Sequence, residues 1–126
     1  MVLLEKNMIL EISGVEVKKG LDLCEGDMDI YLRVLRSYVS DMTEALVKIR
    51  KVSEIKLSDY AVSVHGIKST SEAIGAEEVR KTAKQQEEMA KGGDLAGVLA
   101  KNNAFIKYLE NLVDGIQKSL GKHGAP

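Results

Sequence analysis

The sequence predicts an all-α protein, an antiparallel four-helix bundle with an additional short N-terminal helix, and three observations support this prediction. Of the 126 residues, 44% are hydrophobic but only 4% are aromatic, and the single proline is the last residue. Leu, Val, Ile, Ala, Lys and Glu dominate, a mixture that favours helices over strands. Apolar residues recur at three- and four-residue steps along four long segments, and the short connections between these segments favour antiparallel neighbours.

The chain length suits one hydrophobic core, and no repeat or linker divides the sequence. Residues 1–14 are apolar without a clean period, and we predict an N-terminal extension or a short docking segment there. Residues 15–120 form the predicted helical bundle, which opens with a short helix over Val15–Cys24. Residues 121–126 are predicted to be a flexible tail.

Each of the four long helices has a boundary signal. Asp27 and Asp94 are suitable N-caps for the first and the last of them. Gly75 can end the second in a left-handed conformation, and Gly92 with its neighbouring glycine ends the third. The four predicted helices run from Met28 to about Arg50, from about Ser58 to Ile74, from Ala76 to Lys91, and from Leu95 to Leu120.

Charge and cysteine content exclude several classes of function. Lys and Arg total 18 against 19 Asp and Glu, so no overall positive field favours nucleic acid or direct membrane contact. Cys24 stands alone and forms neither an intrachain disulfide nor a cysteine-based metal site. Since no apolar stretch approaches about 20 residues and no secretory leader is evident, we expect a cytoplasmic location, either as a free protein or as a domain of a membrane-bound sensor kinase.

The most informative segment lies on the second long helix and begins at His65. Residues three and four apart on a helix are neighbours, so Lys68 and Ser69 should flank the His65 imidazole. At about 100° per residue, His65 lies beside the apolar stripe and faces solvent. Such an arrangement lets a partner bring an anionic group to the imidazole, with Lys68 to neutralise it. The side chains predicted to surround His65 or lie along the same face are Val62, Gly66, Ser69, Glu72 and Ala73.

The order His65, Lys68, Ser69, Ile74, Gly75 follows a known pattern, H-x-x-K-G-x-x-x-x-[IL]-G, with serine where glycine is usual. In this the chain resembles the histidine-containing phosphotransfer (HPt) domain of multistep two-component phosphorelays. The resemblance covers about residues 12 to 120, and the histidine motif is its most specific part.

The resemblance implies a phosphorelay intermediate. His65 would accept a phosphoryl group from a receiver-domain aspartate or a hybrid sensor histidine kinase and pass it to another receiver aspartate, while Lys68 stabilises the phosphoryl charge. The surrounding side chains would contact the partner, and Gly75 would be structural. No cofactor is expected on this chain, because Mg²⁺ would belong to the receiver. The sequence also contains no G-x-x-x-x-G-K-[ST] loop, so neither ATP binding nor autokinase activity is expected.

Two alternatives use the same surface: a non-catalytic module that binds receivers, and the phospho-accepting domain of a chemotaxis-type histidine kinase. A carboxylate-bridged metal bundle is disfavoured, because Val62 and Leu120 stand three residues before the two histidines, where glutamate ligands are needed. The mixed charges over Arg80–Lys91 are typical of a solvated helix face, and we assign them no functional role.

Overall fold

The computed structural model describes residues 2–4 and 8–122, and nearly all of the regular structure in them is helical. This confirms the all-α class. Two three-residue strands, β1 (Val2–Leu4) and β2 (Met8–Leu10), pair antiparallel within the predicted extension, with Leu3 opposite Ile9. Segments this short show no detectable period, so the sequence did not predict them. The helices are α1 (Val17–Leu23), α2 (Met28–Ile49), α3 (Leu57–Ile74), α4 (Glu77–Lys91) and α5 (Leu95–Lys122).

The ends of the long helices follow the predicted boundary signals. Asp27 Oδ1 accepts a hydrogen bond from the Ile30 N–H at 3.2 Å, and Asp94 Oδ1 accepts one from the Gly97 N–H at 2.9 Å. These caps satisfy N–H groups that the first turn of a helix leaves unpaired. At its other end α5 continues through Gly121 to Lys122, two residues into the predicted tail, and residues 123–126 lie outside the described part.

One core is shared by all the helices. Helix α3 packs against α2 on one side and most extensively against α4 on the other, while α5 packs against α2 and α4. Leu10 and Ile12, which belong to the predicted extension, are also buried in this core. The largest fully buried apolar side chains of the helices are Tyr31, Tyr38, Leu35, Ile49, Ile67, Ile74, Leu109 and Ile116.

A buried polar network fixes the register of the long helices. The Tyr60 hydroxyl of α3 donates to Asn102 Oδ1 of α5 at 2.7 Å and accepts from Gln86 Nε2 of α4 at 2.9 Å. Asn102 Nδ2 in turn donates to the Ile49 carbonyl at the end of α2, also at 2.9 Å. Sliding any one helix along its axis would leave these buried groups unpaired, which is costly.

Helix α1 closes against the C-terminal end of α3 through two glycines. Gly75 ends α3 with φ of 87°, and its carbonyl accepts a hydrogen bond from the Glu16 N–H at 2.9 Å. A Cβ on Gly20 would lie only 2.5 Å from both the Ile74 carbonyl oxygen and the Tyr31 ring. The close approach of α1 to α3 therefore requires glycine at position 20.

We expect Gly20→Ala to lower the free energy of unfolding by about 1–3 kcal/mol, because the added methyl group overpacks a contact with rigid backbone. Gly115→Ala on α5 is the matched control, since a Cβ there would meet nothing within 4 Å. That control should raise stability by about 0.5–1 kcal/mol, as alanine is the better helix former. Urea unfolding followed by circular dichroism measures both changes, and equal effects would contradict the proposed close contact.

Candidate functional site

His65 lies on the outward side of α3, and its side chain is 57% exposed, as the helical projection predicts. Its Nδ1 atom lies 2.7 Å from Glu87 Oε2 on α4. The other ring nitrogen, Nε2, makes no hydrogen bond to any side chain in the described part of the protein. One edge of the imidazole is thus held by the protein, and the other is open to a partner.

The Glu87 carboxylate is the centre of this site, although only 4% of its side chain is exposed. Lys68 Nζ donates to Glu87 Oε1 at 2.7 Å, and Lys91 Nζ lies 2.9 Å from Oε2, the oxygen that also contacts His65. We call His65, Lys68, Glu87 and Lys91 the Glu87 cluster. In this cluster His65 and Lys68, the two residues predicted to carry out the chemistry, both contact one carboxylate. Glu87 was not among the site residues predicted from the sequence.

The interpretation of Arg80–Lys91 as a solvated face was wrong at Glu87. The spacing of residues in α4 did contain a signal for this burial. Val79 and Ala83 are both buried, and Glu87 continues their four-residue spacing on the same side of the helix. A charged side chain on an apolar stripe is seldom fully buried unless it is paired. Two of its three partners, His65 and Lys68, lie on α3, and single-helix patterns do not show contacts between helices.

The cluster keeps the Glu87 carboxylate ionised. Burial alone would raise the pKa of Glu87, but hydrogen bonds from Lys68, Lys91 and His65 outweigh it and hold the pKa at about 2. An ionised carboxylate only accepts hydrogen bonds, so His65 Nδ1 carries the proton in this contact. In the neutral imidazole the lone pair then lies on Nε2, the exposed nitrogen.

The residues predicted to meet a partner lie together on the outer surface of α3. Val62 is 74% exposed, and a Cβ on Gly66 would meet nothing within 4 Å, so the approach to the imidazole is open on this side. Ser69 Oγ donates to the His65 carbonyl at 3.3 Å, which satisfies the hydroxyl within the helix. Glu72 and Ala73 are also exposed.

An apolar groove of about 620 Å³ adjoins this surface, on the side away from α4. Leu23 and Ile30 are 60% and 44% exposed there, which is unusual for large apolar side chains that are close together. Sequence patterns did not predict this groove, because α1, α2 and α3 each contribute only part of it. Its lining residues are Leu23, Cys24, Glu25, Ile30, Val34, Ser69, Glu72 and Ala73.

Residues 2–4 and 8–122 also bear on other classes of site. No group of three or more His, Cys, Asp and Glu side chains there is arranged to hold a metal ion. No helix in this part is both long and apolar enough to cross a membrane.

Comparison with known proteins gives no assignment: no family model, curated protein or solved structure matches the chain. The residues of this chain and their geometry are therefore the basis on which its function is inferred.

We expect Glu87→Gln to lower the free energy of unfolding by about 1–3 kcal/mol at pH 7, because the charged acceptor for three donors is lost. Since folding lowers the pKa of Glu87 from its ordinary 4.5 to about 2, its contribution is present above pH 4.5 and is lost as the pH falls to about 2. The stability difference between wild type and variant should therefore shrink over that window. Denaturant unfolding at a series of pH values tests this, and a difference that stays constant down to pH 2 would contradict it. The pKa of Glu77, which hydrogen bonds from Arg80 and Lys19 also hold at about 2, affects both proteins equally.

Proposed function

We propose that this protein is a phosphorelay intermediate that accepts a phosphoryl group on His65 from a receiver-domain aspartate, or from a hybrid sensor kinase, and passes it to another receiver. The observation that carries the proposal is the exposed His65 imidazole, hydrogen-bonded through Nδ1 to the buried Glu87 carboxylate that also holds Lys68. In this proposal α2 to α5 form the antiparallel four-helix bundle of an HPt-like domain.

The geometry suits nucleophilic attack by Nε2. The Nε2 lone pair forms a bond to phosphorus, the bond between phosphorus and the aspartate oxygen of the receiver breaks, and the electron pair stays on the released carboxylate. The ring becomes positively charged as the N–P bond forms, and the Nδ1 proton remains hydrogen-bonded to Glu87 Oε2. A buried anion stabilises this positive charge more strongly than bulk water would.

Lys68 supports the same step from the other side of the carboxylate. Its side chain is 25% exposed and lies one helical turn from His65, so its ammonium can turn from Glu87 towards phosphoryl oxygens at Nε2. Phosphoryl transfer has a loose transition state with charge spread over the equatorial oxygens, and a nearby cation lowers its energy. Mg²⁺ is expected on the receiver, and no cofactor is assigned to this chain.

The apolar groove gives the receiver a surface on which to dock. It contains three of the predicted partner residues, Ser69, Glu72 and Ala73, together with the exposed apolar side chains Leu23 and Ile30. Docking there would bury apolar surface beside His65 and align the aspartyl phosphate with Nε2. Small side chains between the groove and the imidazole permit this approach, and Ser69 is still small although it replaces the usual glycine.

We expect His65→Gln to abolish phosphorylation by phosphorylated receiver domains from the same source and to leave the helical circular-dichroism signal unchanged. The nucleophilic nitrogen is lost, but the glutamine amide can still donate towards Glu87 and the apolar core is unchanged. His123→Gln is the matched control, because it removes the only other histidine. It should retain full transfer, measured as acid-labile phosphate on the chain.

The same experiment separates the alternatives. Acid-labile phosphate that persists on His65→Gln would contradict the assignment of the acceptor. Phosphate that reaches wild type only from ATP and a kinase domain would favour the chemotaxis-type kinase. Receiver binding without phosphate on His65 would favour the non-catalytic module.

We expect Leu23→Asp to raise the KM for phosphotransfer from a receiver about tenfold or more, because it places a charge in the groove where the partner docks. The rate at saturating receiver should change little, since Leu23 does not contact His65. Leu99→Asp on α5 is the control: Leu99 is also about half exposed but lies outside the groove. Equal effects of the two substitutions on KM would show that the groove is not the docking surface.

A further inference from the structure

A second groove, of about 400 Å³, lies at the N-terminal end of α3, and lysines line it instead of large apolar side chains. Lys48 belongs to the last turn of α2, Lys51 follows that helix, and Lys56 directly precedes α3. All three are exposed and line this groove together. We call Lys48, Lys51 and Lys56 the lysine patch.

The positive charge of the lysine patch is not balanced by the protein itself. None of its three ammonium groups forms an ion pair within the described residues, whereas Arg50 of the same connection pairs with Glu110 at 2.6 Å. Asp59 is the one carboxylate that lines the groove, so three lysines against one aspartate leave an excess of two positive charges. The whole chain has a net charge of −1, so this excess is a local feature.

The lysine patch is continuous with the surface around His65 through Val62. Val62 lines the lysine groove and also the neighbouring groove that contains Gly66. It is 74% exposed and lies one helical turn before His65. A partner that contacts the imidazole can therefore extend to the lysine patch along the same side of α3.

The size of a specific interface makes this extension necessary. A stable complex buries about 800 Å² on each partner, which corresponds to a disc of roughly 16 Å radius. Along the axis of α3, the apolar groove reaches Ala73, about 12 Å from His65. Lys56 lies about 14 Å from His65 in the opposite direction. A partner centred on the imidazole thus covers the apolar groove at one end and the lysine patch at the other.

The charge of the patch matches the face that a receiver must turn towards His65. That face carries the aspartyl phosphate and the carboxylates that hold Mg²⁺, so it is acidic. Cations beside the reacting centre attract such a face before contact and pair with carboxylates at its border after contact.

We propose that the lysine patch is a second docking surface for the receiver, where it pairs with carboxylates that border the receiver's phosphorylation site. This inference rests on the proposed function and names the partner it selects: a receiver with acidic side chains on the side that meets the N-terminal end of α3.

Two carboxylates next to the patch make this selection sharper. Asp41 and Glu44 are exposed on α2 and line the middle groove, between the lysine patch and Gly66. They repel a receiver whose acidic side chains are displaced towards the middle of α2. The alternation of sign along the surface therefore favours one register of the partner over others.

The test is the association of the full-length chain with unphosphorylated receiver domains from the same source, measured by stopped-flow fluorescence at several salt concentrations. Lys51→Glu combined with Lys56→Glu reverses two charges of the patch at exposed positions between α2 and α3, and circular dichroism checks that the helices are retained. We expect the association rate to fall about tenfold in about 0.01 M salt and by less than about twofold in 1 M salt, where charges are screened within about 3 Å. The loss of binding in Leu23→Asp should persist in 1 M salt, because that groove is apolar.

Lys101→Glu combined with Lys107→Glu is the matched control. It changes the net charge by the same amount at exposed positions on α5, which packs against α2 and α4. In 0.1 M salt this control should associate within about twofold of wild type, because its charges lie beyond the screening length of about 10 Å. Equal losses of rate in the two double variants, or no loss in the patch variant, would overturn the role of the lysine patch.

A basic patch can also bind an anionic membrane, and vesicles that contain phosphatidylserine test this occupant. Vesicle binding that the patch variant loses while its receiver association stays unchanged would overturn the proposal in favour of a lipid surface. The phosphotransfer assay on the same proteins separates the two proposals. Slower receiver association without phosphate on His65 would count against the proposed function alone, and unchanged association with normal transfer would count against the lysine patch alone. Absence of binding between wild type and every receiver would overturn both.

Discussion

The buried Glu87 carboxylate is the interaction on which the candidate site depends. Taking a charge out of water is costly unless it is paired and hydrogen-bonded, and Glu87 meets this cost with three donors from two helices. The pairing works in both directions, since the carboxylate orients the imidazole and the lysines while they keep it ionised. The packing of α3 on α4, the most extensive in the molecule, therefore also sets the geometry of the chemistry.

The remaining contacts hold α3 rigid enough for this arrangement to persist. At its C-terminal end, the Tyr31 hydroxyl donates to the Ile74 carbonyl at 2.9 Å, and α1 closes over Gly75. At its N-terminal end, Tyr60 is tied to α4 and α5 by the buried polar network. His65 lies between these two anchors, on an element whose backbone has little freedom. Sites on such elements hold their geometry better than sites on loops.

The two sides of α3 serve different purposes in the proposed function. On the α4 side, the Glu87 carboxylate holds His65 and the two lysines. On the side of α1 and α2, the groove exposes apolar surface that a partner can bury. Ser69 lines this groove and lies one helical turn from the imidazole. Partner preference and the setting of His65 can therefore change separately, because Glu87 lies on α4 whereas Leu23 and Ile30 of the groove lie on α1 and α2.

The sequence by itself determined the helices, their caps at Asp27 and Asp94, the left-handed end at Gly75 and the exposed position of His65. All of these follow from local rules, such as the 3.6-residue period and the pairing of free N–H groups in a first turn. Only the tertiary structure decided that Glu87 meets His65 and Lys68, because these two partners lie 22 and 19 residues away on a neighbouring helix. Only the tertiary structure likewise formed the apolar groove, because its lining comes from α1, α2 and α3. Contacts between helices depend on how the helices rotate and slide against one another, and no pattern within a single helix records that.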